Sequence, residues 1–305
     1  MLAAYHPRIK LLGVSTVSGN SVVENCTNNA IRILQAVSIK GIKVYQGATK
    51  PLIKPAVRAE PYHGPSGMDG VDIPKEADYD TYFVKGVHAV NAMRQAIMES
   101  TEPISILAVG PLTNIALLVS MYPEVIPRIK ALSAMGGAIA MGNITSAAEF
   151  NIYADADAAQ VVMNSEINHI ALVPLDVTLT VLSNDAIIKR LEQKIQSAKF
   201  IKFIESLVYY CGKNYEDIFG PKNGAPLHDP VAVAYLFMPE AFTKKHARVD
   251  VECNAGNGCG RTYCDIYNTS KLPLNCWMTT AVDIERFWNE FIETMAIAYN
   301  HWIYD

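Results

Sequence analysis

Apolar positions along this chain switch repeatedly between two periods. Short runs rich in apolar and β-branched residues alternate with spacings of three and four. The first run, residues 11–17, reads as a buried strand closed by the turn Ser18-Gly19-Asn20. Ala30, Ile33, Leu34 and Val37 then predict a helix over residues 29–37, followed by a strand over 42–45. Val87, Val90, Met93 and Ile97 predict a helix over 84–98, and residues 104–109 form a continuous strand stopped by Gly110-Pro111. A helix over 115–120, a strand over 129–135, a helix over 156–163 and a strand over 170–175 complete the alternation.

Strands apolar on both faces, alternating with helices, predict an α/β fold: a mainly parallel, Rossmann-like central sheet flanked by helices. Ligands of such sheets sit beyond the C-terminal ends of the strands. That rule puts residues 18–20, 109–113, 136–143 and 176–178 on one rim. Residues 183–226 differ, with two amphipathic helices that read as a lid-like insertion, the first capped by Asn184 or Asp185. A helix over 230–237, a turn-rich β segment and a last amphipathic helix over 284–299 follow. Without a repeat or low-complexity linker, residues 1–305 read as one domain.

Composition narrows the partners. Lys+Arg 26 against Asp+Glu 30 gives a net charge of −4, so no global positive field draws nucleic acid or an anionic membrane. No apolar run approaches the roughly 20 residues needed to span a bilayer, and residues 1–7 do not resemble a secretory signal. The six cysteines lack paired zinc spacing and read as free thiols in a reducing cytoplasm. Phosphate-loop, serine-hydrolase, zincin and dinucleotide motifs are absent.

The candidate chemistry is spread thinly. In Leu227-His228-Asp229-Pro230, Asp229 is either a helix cap before Pro230 or a metal ligand beside a substrate-facing His228. In Ala148-Glu149-Phe150-Asn151, an extended backbone would turn Glu149 and Asn151 to one face, able to hold a polyol such as ribose. Met135-Gly136-Gly137 would let the backbone approach a ligand, and Tyr62-His63-Gly64 lies in a long loop. Gly110-Pro111-Leu112-Thr113-Asn114 is explained by turn structure alone, with Thr113 as a cap.

Taken in order, these segments resemble one family. Gly13-Val14-Ser15-Thr16-Val17-Ser18-Gly19-Asn20, His63-Gly64-x-x-Gly67, Gly110 to Asn114, Met135-Gly136-Gly137, Gly142-Asn143, Ala148 to Asn151, Pro174-Leu175-Asp176-Val177-Thr178 and His228-Asp229-Pro230 are similar to the motifs of inosine–uridine-type nucleoside hydrolases. The resemblance implies cleavage of the N-glycosidic bond of uridine- or inosine-like ribonucleosides, using a Ca²⁺-bound water, in a cytoplasmic homodimer or homotetramer. By position it implies Asp229 and the Val109 carbonyl as metal ligands. Asn20, Met135, Asn143, Glu149, Phe150 and Asn151 would surround the ribose. His63, Tyr215 and His228 would surround the base, with His228 protonating the leaving group and His63 as a second catalytic candidate.

One departure stands out. The family opens on a D-x-D-P-G-x-D-D-type motif after its first strand, supplying two metal ligands and the base for the water. Here residues 1–5 read as the last turn of the following helix, stopped by Pro7, and neither motif nor strand is present. Two expectations compete: a shortened version of a working hydrolase, or a short protein that binds nucleosides without cleaving them. The first is favoured, because the other motifs are all present and losing a central strand would leave neighbouring backbone unpaired.

Overall fold

The computed structural model describes residues 1–219 and 224–304, with the backbone alone for residues 209–219. Its strands are β1 (Val14–Thr16), β2 (Val44–Gln46), β3 (Ile104–Ala108), β4 (Ile129–Met135), β5 (Ile170–Val173), β6 (Leu182–Ser183), β7 (Ala225–Pro226), β8 (Phe242–Val251), β9 (Thr262–Asp265) and β10 (Cys276–Val282). Six of them form one sheet in the order β3-β4-β5-β10-β8-β9. Its first four strands are parallel, while β8 and β9 add antiparallel pairs at the far edge. The sheet is therefore mixed, and the expected α/β class holds.

Burial on both faces explains the continuous apolar run of β5. In β5, Ile170 and Leu172 join the core on one side, and Ala171 and Val173 the core on the other. The first core holds apolar residues of the helices Ala89–Glu99, Thr113–Met121 and Ala156–Met163. The second holds those of Asp229–Phe237 and Ile284–Tyr299. Ser133, fully buried in β4, donates to the carbonyl of Ala232 at 2.8 Å, so its hydroxyl is not stranded in apolar surroundings.

β1 and β2 form a separate parallel pair. Asn114, buried at the start of the helix Thr113–Met121, ties it to the main sheet. Its Nδ2 donates to the Thr16 carbonyl and its Oδ1 accepts from the Ala48 N–H, both at 2.9 Å. Thr113 does not cap this helix as expected. The cap position is Leu112, and the Thr113 hydroxyl donates to Asp155 at 2.6 Å.

Several boundaries moved for local reasons. The helix expected from residue 84 begins at Ala89, where the His88 side chain accepts from the Val90 N–H. Gly86, in the left-handed region at φ 81°, keeps the preceding residues out of it. The strand expected over 170–175 stops at Val173, because Pro174 instead starts a single helical turn, Leu175–Thr178. The helix expected from residue 29 starts six residues earlier, at Val23.

Within 183–226, the helices Asp185–Lys194 and Ala198–Phe219 leave and return through the short antiparallel pair β6–β7. Asn184 caps the first by accepting from the N–H groups of Ala186 and Ile187. No helix among the described residues is long and apolar enough to cross a membrane. Cys26, Cys253, Cys259, Cys264 and Cys276 are free thiols.

Candidate active site

A cavity of about 460 Å³ opens where β1, β3 and β4 end. Asn20 reaches it from the turn after β1, Val109 follows β3, Met135 ends β4, and Asn143 comes from the next loop. Glu149, Phe150, Asn151, His63, His228 and Asp229 complete the residues singled out in the sequence that line it. The side chain of Tyr215 lies outside the described residues. Leu2, Met68, Leu207 and Met295 make part of the wall apolar.

Glu149 and Asn151 are not on an extended face, as the sequence pattern suggested. Glu149 is the N-cap of the helix Phe150–Ala154 and accepts from the N–H groups of Asn151 at 2.8 Å and Ile152 at 3.2 Å. A helix leaves its first N–H groups without intrahelical partners, and a carboxylate at this position satisfies them. Oε2 also accepts from the Gly137 N–H at 2.9 Å. Gly137 adopts φ 75°, and a Cβ there would lie 2.9 Å from Thr262 Cγ2, so glycine is required. Asn151 donates through Nδ2 to the Met135 carbonyl at 3.1 Å, which leaves its Oδ1 as an acceptor. Asn143 accepts from the Phe150 N–H at 2.9 Å.

Asp229 is not the cap of its helix either. His228 holds that position, Asp229 is the first helical residue, and no side chain closes the end. Asp229 lines the cavity and is exposed to solvent there, while the protein packed around its carboxylate desolvates it and pushes its pKa up to about 7. Glu149 is also raised to about 7. Burial is the main cause, the three N–H donors oppose it, and the charge of Asp229 adds to it. Two carboxylates from distant segments therefore sense each other in one cavity. Burial lowers the pKa of His63.

Two residues at the rim have roles that sequence reasoning did not assign. Asp176 accepts from the backbone N–H groups of Ile139 at 2.6 Å and Ala140 at 3.0 Å, holding the loop that carries Asn143. Thr178 Oγ1 lies 2.7 Å from His228 Nδ1. The available signal was position, since polar residues directly after a parallel strand fall on the ligand rim. Among the described residues, no three His, Cys, Asp or Glu side chains cluster around a common metal position. The two residues expected to hold the metal, Asp229 and Val109, both line the cavity.

The family model described as inosine-uridine preferring nucleoside hydrolase matches residues 1–289. A probable ribonucleoside hydrolase of Dictyostelium discoideum is 35% identical over 99% of this chain and 91% of its own length. A pyrimidine-specific ribonucleoside hydrolase of Shewanella baltica is 34% identical over 97% of this chain and 91% of its own. Among solved structures, a purine-preferring ribonucleoside hydrolase from Gardnerella vaginalis superposes with a TM-score of 0.87 at 26% identity, covering 98% of this chain and 94% of that one.

Proposed function

The chain belongs to the inosine-uridine preferring nucleoside hydrolase family and is a hydrolase of N-glycosyl compounds; from that premise we propose that its cavity takes uridine- or inosine-like ribonucleosides and releases ribose and the free base. One observation supports this most strongly. Asn20, Asn143, Glu149 and Asn151 meet around the same cavity as Asp229 and His228. Glu149 has two oxygens and three backbone donors, so one acceptor position remains for a sugar hydroxyl. The Oδ1 of Asn151 offers another.

The reaction adds water across the C1′–N bond. The oxygen bonds to C1′, the C–N electron pair leaves with the base, and one hydrogen of the water ends on the base. Positive charge builds on the ribose as the bond breaks, so an ionised Glu149 close to the sugar stabilises that state. His228 protonates the departing base, a role an imidazole fills near neutral pH. His63, placed by the helix Glu60–His63, borders the same cavity and contacts the base. Met135 and Phe150 pack against the ribose.

The donor set suits Ca²⁺ in kind. A carboxylate and a carbonyl are hard oxygen ligands of the kind Ca²⁺ takes. Asp229 and the Val109 carbonyl would hold the ion, with ribose hydroxyls and waters among its other oxygens. Bound there, Ca²⁺ supplies a polarised water. We place the enzyme in the cytoplasm, as a homodimer or homotetramer.

The test is release of reducing sugar from uridine, cytidine, inosine and adenosine by the purified protein with Ca²⁺. Turnover of at least one nucleoside that is lost in His228→Ala is expected. Saturable nucleoside binding without turnover would replace this reading with a binding role.

A further inference from the structure

We infer that Thr178 is a positioning residue that selects the tautomer of His228, an inference resting on the reading of His228 as the acid for the leaving base. Thr178 belongs to the single helical turn after β5, in the segment Pro174-Leu175-Asp176-Val177-Thr178, to which the mechanism assigns nothing. Its side chain is fully buried. Its hydroxyl has one hydrogen-bond partner among the described residues, His228 Nδ1 at 2.7 Å.

A buried hydroxyl that gives its hydrogen to nothing carries the full desolvation cost of the donor. With one partner in reach, the Thr178 O–H donates and Nδ1 accepts. A neutral imidazole accepts through one nitrogen and carries its hydrogen on the other, so the ring hydrogen sits on Nε2. His228 is at the N-cap position, but its side chain makes no capping bond. An acid needs its hydrogen on the nitrogen that meets the base, and the opposite tautomer would present a lone pair instead.

The experiment combines Thr178→Val, Thr178→Ser and a spectroscopic reading of His228. Valine keeps the shape and removes the hydroxyl, and serine restores it. Because a positioned acid contributes about 10²–10⁴-fold, Thr178→Val should lower kcat by roughly tenfold or more with KM within about twofold. Thr178→Ser should recover kcat to within about threefold of wild type. In ¹⁵N spectra of the wild-type protein, His228 Nδ1 should be the unprotonated nitrogen, and Thr178→Val should mix the tautomers. Wild-type kcat in Thr178→Val, or a hydrogen on Nδ1 in the wild type, overturns the inference. The wild-type spectrum decides the tautomer even if the valine variant does not fold. If the wild type cleaves no nucleoside, the functional reading fails, and the spectrum still judges the role of Thr178.

Discussion

The carboxylate of Asp176 accepts the backbone N–H of Ile139 at 2.6 Å, bridging the turn after β5 to the loop after β4. Its second oxygen takes the next N–H, from Ala140, at 3.0 Å. The loop is thereby clamped by a residue outside the cavity lining, and Asn143 lies three residues beyond the clamp.

Asp176→Asn should therefore loosen the ribose side of the cavity. The amide keeps one acceptor and turns an NH₂ toward the other N–H, losing roughly 1–3 kcal/mol of interaction. KM for nucleosides should rise about tenfold, with kcat changed less, in steady-state assays of released sugar. An unchanged KM would show that the loop holds its shape without the clamp.

Glu149 links stability to pH. Its folded pKa of about 7 lies above the ordinary carboxylate value of 4.5. Its contribution to stability is thus fully present below pH 4.5 and is lost as pH rises through 7. The shift corresponds to at most roughly 3 kcal/mol. Metal-free wild-type protein should lose melting temperature between pH 5 and 8.5, and Glu149→Gln should lose less, measured by calorimetry. The same variant should reduce kcat/KM by about 10²-fold or more, since it removes charge that stabilises the ribosyl cation.

Asn114 should matter for stability more than for chemistry. Replacing it with alanine strands the Ala48 N–H and leaves the Thr16 carbonyl with the Gly47 N–H alone, at a cost of about 1–3 kcal/mol. Thermal unfolding should shift down accordingly. Amide exchange should speed up in β1 and β2 before it does in β4 and β5.

Metal removal tests the proposed role of Asp229. Chelation should abolish nucleoside hydrolysis, and added Ca²⁺ should restore it. Asp229→Asn should raise the Ca²⁺ concentration for half-maximal activity by more than about tenfold, because a charged hard ligand becomes a neutral one. Full activity of wild-type protein in excess chelator would remove Ca²⁺ from the mechanism.

Much of the fold was legible from periodicity. The strand over 129–135 and the helix over 284–299 appear with the expected bounds, because each repeats a clear period over its whole length. Short-range signals decided other bounds. His88 started a helix five residues late, and Pro174 turned the end of an expected strand into a helical turn. At Glu149 a two-residue alternation suggested an extended face, but the carboxylate instead accepts three N–H groups, two at the start of its own helix and one from Gly137.

By itself, the sequence determined the α/β alternation, the family, and which polar residues follow strand ends, since these depend on neighbours close along the chain. Only the tertiary structure decided that Asp229 starts its helix without capping it, that Glu149 senses its charge, and that Thr178 meets His228. Burial, electrostatic coupling and hydrogen-bond partners are sums over atoms that folding brings together from distant segments, and no local pattern records them.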